Sequence, residues 1–150
     1  MAKYFVFSEF TKSETAKNLN IDNTPTEEYI YDNILELMRI MDKIRGNWTE
    51  YCTLNYLPNP EIIITSGYRC EALNEAVGGS KTSAHRIGSA CDFIAKNGHN
   101  GELFNLIVNM IEKGEIKCSQ LIWEKGDKQN PDWIHFALYA GGKLNQILKL

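Results

Sequence analysis

Histidine is scarce in this chain, with three in 150 residues. Cysteine is hardly commoner, and Cys52, Cys70, Cys91 and Cys118 include no C-x-x-C pair. Unpaired thiols exclude a zinc ribbon and a thioredoxin-type motif. They are expected to be reduced, half-buried small apolar residues. Positive charge is not in excess either. Sixteen Lys and Arg against 19 Asp and Glu give a formal net charge of −3. That balance leaves no electrostatic footprint for nucleic acid and no general attraction to an anionic membrane. No apolar run approaches the ~20 residues of a membrane helix. The opening apolar stretch, Tyr4 to Phe7, ends at Ser8-Glu9 and is too short for a signal-peptide core. The expectation is a product made in the cytoplasm with no signal peptide. Its length fits one domain, residues 1–150, able to bury a real core.

The residues that are present alternate between helical and extended patterns. Residues 4–19 read as an extended entry and a short helix, with Ser8 and Ser13 as caps. Asn18 to Pro25 reads as a loop. Thr26 caps a long helix whose stripe is Ile30, Ile34, Leu37, Met38, Met41 and Ile44, with Gly46 as its stop. That stripe is core. Residues 47–60 wander, and Glu61 to Thr65 is a buried β-branched strand ended by Ser66-Gly67. Glu71 to Val77 is a short helix, followed by a Gly- and Ser-rich loop to Ser83. Ile87 to Ala95 is a strand carrying Asp92. Gly101 to Lys113 is a second amphipathic helix stopped at Gly114. Ser119 to Glu124 and Trp133 to Tyr139 are strands, the latter with Trp133, His135 and Ala137 on one face. Gln146 to Leu150 is a last edge strand. Helices before and between closely spaced strands predict an α+β fold with a mostly antiparallel sheet.

Two of the three histidines fall in Ser83-Ala84-His85-Arg86-Ile87-Gly88-Ser89-Ala90-Cys91-Asp92 and Pro131-Asp132-Trp133-Ile134-His135. Imidazole and carboxylate are the donors of catalytic zinc sites, which take three protein ligands and keep one position open. His85, Asp92 and His135 form such a set. The spacing is not that of a helical signature such as H-E-x-x-H. Gly88, Ser89 and Ala90 lie between two of the ligands, where bulky side chains would crowd an ion. Asp132 is three residues before His135 and is one candidate general base. A regular strand would turn it to the opposite side, so that role needs a bend. Glu124 is the competing base. Arg69, just beyond a strand end, can hold an oxyanion or a terminal carboxylate. His99, in an Asn- and Gly-rich turn, is expected to be exposed and no ligand. Trp123 and Trp133 are expected in core or pocket wall.

SGYRC (Ser66 to Cys70), LNEAVGG (Leu73 to Gly79), SAHRIGSACD (Ser83 to Asp92), QLIWE (Gln120 to Glu124) and PDWIHFAL (Pro131 to Leu138) together resemble the zinc D-alanyl-D-alanine carboxypeptidases and their phage endolysin relatives. That group shares a fold with the hedgehog signalling domain and the vancomycin-resistance dipeptidases. The amino-terminal SEFTKSETAKNLNIDNTP stretch is similar to the lead-in of its small single-domain members, so the likeness spans nearly the whole chain. The resemblance implies a hedgehog/DD-peptidase-like fold and Zn²⁺ on His85, Asp92 and His135. It implies Asp132 as general base, Arg69 as substrate and transition-state clamp, and Ser83 as a substrate-side hydrogen-bonding residue. The implied substrates are peptidoglycan stem peptides, cut by a monomer with no nucleic-acid partner and no membrane insertion, acting on the cell wall after release. Carboxypeptidase and endopeptidase members share these ligands, so the bond cut stays open. A zinc-binding but inactive wall- or partner-binding module of the same fold is the alternative. A phage assembly component that opens the wall locally is a third reading.

Overall fold

The computed structural model describes residues 3–150. Met1 and Ala2, the first residues of the opening segment, lie outside the described residues. The chain enters through a 3₁₀ turn, Phe7–Phe10, where an extended entry is expected, and then forms α1, Glu14–Asn18. Ser13 caps α1 by accepting the Ala16 N–H at 3.1 Å.

Helix α2, Glu28–Leu54, begins after Glu27 rather than Thr26 and runs straight through Gly46. The stop expected at Gly46 is overridden by packing. Trp48 and Cys52 continue the four-residue spacing from Ile44, and all three are essentially inaccessible. Their burial outweighs the ~1 kcal/mol that a mid-helix glycine costs. The helix ends instead at Asn55, where Tyr56 takes φ 55° and the Leu57 N–H reaches Cys52 O at 2.8 Å, a glycine-free Schellman closure.

Five strands follow: β1 Ile62–Ser66, β2 Ala90–Ala95, β3 Gln120–Glu124, β4 Trp133–Ala137 and β5 Gln146–Lys149. Between them lie α3, Glu71–Ala76, and α4, Asn100–Glu112. The sheet order is β1-β2-β4-β3-β5. Only β3 and β5 pair in parallel, so the fold is α+β with a mostly antiparallel sheet, as expected. The strand expected from Ile87 is shorter. Its first part is a 3₁₀ turn, Ala84–Ile87, that ends at Gly88 with φ 74°.

Strand alternation gives the sheet two faces. Cys91, Phe93, Leu121, Trp123, Ile134 and Phe136 point to the core shared with α2 and α4. Asp92, Ile122 and His135 take the opposite phase, on the face left for chemistry. Among the described residues, no helix is long and apolar enough to cross a membrane.

Candidate metal centre and cleft

Register brings two of the three donors together. Asp92 and His135 are directly paired across β2 and β4, on the same face. Asp92 Oδ1 lies 2.9 Å from His135 Nδ1. The third donor arrives on the 3₁₀ turn. His85 is buried, and its Nε2 is 3.5 Å from the same Asp92 oxygen. Its Nδ1–H donates to the Gly67 carbonyl at 2.7 Å. That bond fixes the tautomer and leaves Nε2 with a free lone pair toward Asp92. The turn itself is capped by Ser83, whose Oγ accepts the His85 N–H at 3.2 Å.

One donor atom from each of the three residues lies within 4.8 Å of the other two. Zinc bonds of about 2.0–2.1 Å place tetrahedral ligand atoms roughly 3.3 Å apart. The separations of 2.9 and 3.5 Å around Asp92 Oδ1 bracket that value. Two neutral imidazoles and a carboxylate are also the donor types of catalytic zinc sites, so the set fits that ion. Burial acts to raise the Asp92 carboxyl, but the His135 and His85 imidazoles beside it hold it well below the usual carboxylate range. It therefore stays anionic, as a ligand must.

The small residues between His85 and Asp92 serve a different contact from the one expected. A Cβ on Gly88 would meet Ile34 Cγ1 at 2.7 Å and Ile30 O at 2.9 Å. Gly88, Ser89 and Ala90 are buried, and Gly88 closes on α2 rather than on an ion.

Arg69 lies on the loop after β1. Its backbone N–H donates to His85 O at 3.0 Å, and its Nη2 reaches Ser83 Oγ at 3.4 Å. Its Nε is buried and has no protein partner. Desolvation pulls the guanidinium below its ordinary value, offset in part by Asp92. A half-buried cation with an unpaired donor beside the metal donors is equipped to bind an anionic group.

This loop is fastened by a residue that the sequence gives only as part of a loop. Asn23 is buried, donating from Nδ2 to Thr11 O and Tyr68 O, both at 2.8 Å, and accepting the Cys70 N–H at 2.8 Å. Its partners flank Arg69 on both sides. Asn23→Ala leaves three backbone groups unpaired at roughly 1–3 kcal/mol each when buried. Relaxation and water recover part of that, and urea unfolding is expected to show a loss of about 3 kcal/mol. A loss below about 1 kcal/mol would mean that the loop does not depend on this clamp.

A cleft of about 620 Å³ opens over the three donors. Arg69, Ser83, Gln120, Ile122, Glu124 and Trp133 are among its lining residues. Glu124 sits two residues beyond Ile122, the cross-strand partner of His135, and so shares its face. Asp132 is exposed at a bend just before β4 and is not part of this lining, although its N–H bonds Glu124 O at 2.9 Å.

The remaining sequence candidates are sorted by the same alternation. Cys91 faces the core, away from the donors, and burial pushes its thiol well above the ordinary range. All four cysteines are free, and three are buried. His99 precedes α4 and binds Glu102 at 2.8 Å, far from any ligand role. Trp123 is core, edge-on to Phe104, while Trp133 is cleft wall. Sequence reasoning missed the Gly67 carbonyl behind His85 and the cleft residues Gln120 and Lys143. Strand alternation from Glu124 could have indicated Gln120. Nothing in the sequence marks a backbone carbonyl.

No curated protein sequence matches the chain. A family model described as Peptidase M15 matches residues 3–137. That match runs from the entry turn to the end of β4 and includes all three donors, Arg69 and Glu124. The chain belongs to the peptidase M15 family and is, at that level, a metallopeptidase.

Proposed function

We propose that this protein is a zinc-dependent peptidase that hydrolyses amide bonds in peptidoglycan stem peptides. The reading is carried by one observation: a His-Asp-His donor set at the base of a cleft that also holds a carboxylate and a half-buried guanidinium. His85, Asp92 and His135 would hold the ion. Bound there, zinc supplies Lewis acidity and brings the pKa of a coordinated water down to about 7.

The chain's own groups do the rest. Glu124 is the general base, taking the proton of the attacking water and returning it to the leaving amine. Asp132 is not given that role, because it lies outside the cleft. Arg69 holds the developing oxyanion or a terminal carboxylate. Ser83, already in contact with Arg69, hydrogen-bonds the peptide backbone. Gly67 O holds the His85 ring from behind, so that His85 needs no reorientation during the reaction. We infer action as a monomer on the cell wall, after release from the cytoplasm.

The test is digestion of purified peptidoglycan by the zinc-loaded protein, with mass spectrometry of the soluble fragments. New amino or carboxyl termini within the stem peptide are expected, and a chelator should abolish them. Hydrolysis that survives the chelator would overturn the zinc assignment. One zinc per chain with no fragment released from any wall type would leave the non-hydrolytic binding module as the better reading.

A further inference from the structure

A second groove, of about 800 Å³, adjoins the cleft. Ala140, Gly141 and Lys143 line both, so the two share a rim. The rim is narrow. Gly141 and Gly142 turn the chain with φ of 55° and 75°, and the flexible Lys143 side chain lies alongside Gly141. The floor of the second groove is apolar, formed in part by buried Ile40 and Leu138. Its edge is cationic: Arg39, Lys43, Lys117 and Lys143 are exposed there, against the single acid Glu115.

Four positive charges gathered in one groove run against a chain whose net charge is −3. They are also largely unspent. Among the described residues, Lys43, Lys117 and Lys143 have no carboxylate within ion-pair distance, and Arg39 has only Glu36, at 4.0 Å. Exposed cations cost little to leave in water, so this alone is not binding energy. Their concentration beside an apolar floor, continuous with a peptidase cleft, is what suggests a ligand.

We propose that this groove continues the substrate cleft and holds the carboxylate-bearing part of an extended acidic peptide. The proposal rests on the peptidase reading of the cleft and adds a substrate class to it. An apolar floor suits short aliphatic side chains and peptide backbone, whereas a phosphate polymer would use the charges and leave the floor unfilled. Lys143, present in both grooves and lying alongside Gly141, marks the junction that the peptide crosses.

Binding can be read without hydrolysis, on the metal-stripped full chain, by backbone amide shifts and calorimetry. The probes are a synthetic stem pentapeptide with its free D-Glu α-carboxylate and the same peptide as the carboxamide. The carboxylate form is expected to bind roughly three- to fivefold tighter at low salt, the range of one exposed ion pair. Its shifts should extend across residues 39–43 and 114–118, and the advantage should fade as salt rises. In a Lys43→Gln/Lys117→Gln variant, both residues being exposed, the two peptides should bind alike.

Equal binding of the two peptides to the unmodified chain, or shifts confined to the cleft, would overturn the proposal. So would tighter binding of poly(glycerol phosphate) in the groove, which would assign it to a phosphate polymer. The two readings fail separately. Wall hydrolysis without carboxylate discrimination removes only the groove, and groove binding without any hydrolysis removes only the peptidase activity.

Discussion

Glu124→Gln is expected to lower kcat on peptidoglycan fragments by roughly 10²- to 10⁴-fold, the usual contribution of a positioned general base. Asp132→Asn should leave kcat unchanged within error. The contrast follows from the two-residue period of a strand. His135 and Trp133 share the cleft face of β4, and Glu124 stands opposite Trp133 on β3. Asp132 precedes the strand, exposed and out of the cleft. Gln keeps the size of Glu124 and its hydrogen-bonding reach but cannot take a proton. Zinc content should therefore stay at one per chain in both variants, and the defect should lie in kcat rather than KM. If Asp132→Asn were the variant that collapsed kcat while Glu124→Gln stayed active, the assignment would be reversed. The cleft would then have to close around the bend at Asp132 when substrate binds.

The fold was legible where one physical signal dominated. Periodicity gave α2 its face, because an apolar stripe four residues apart has one way to be buried. It could not give the end of α2. Gly46 is a local stop signal, and Trp48 and Cys52 overrode it through contacts distant in sequence. The metal donors were legible because so few histidines exist to choose from, and their convergence is the β2–β4 register made visible. The base was harder. Residues i and i+3 are close along the chain, which drew attention to Asp132, but Asp132 sits at an exposed bend before β4 and is not among the residues lining the cleft. Asn23 was not legible at all. Its Asn- and Pro-rich surroundings describe a surface loop equally well, and only the fold shows Tyr68 and Cys70 on either side of it.

Gly67→Ala is expected to weaken zinc binding by about 10- to 100-fold, the usual cost of disturbing a partner behind a ligating histidine. Gly67 is pressed against the entry turn. A Cβ there would sit 2.2 Å from Phe10 O and 2.7 Å from Phe10 C, both backbone atoms that no rotamer change can move. Phe10 is itself fully buried and packed edge-on against Phe5. The neighbouring Tyr68 N–H is bonded to the same Phe10 oxygen at 2.7 Å. Relief must come from the loop moving away from Phe10, and the loop carries Gly67 O, which holds His85 Nδ1. The same shift should cost about 1–3 kcal/mol in urea unfolding, the range for overpacking a tight site. Gly46→Ala is the matched control. Its new methyl would meet nothing nearer than Tyr4 Cε2 at 3.9 Å, and in mid-helix it should stabilise by up to about 1 kcal/mol. Zinc affinity, read by competition with a chromophoric chelator, should be untouched by Gly46→Ala and reduced by Gly67→Ala. Unaltered affinity in Gly67→Ala would show that His85 keeps its orientation without the carbonyl behind it, and that the entry turn braces only the fold.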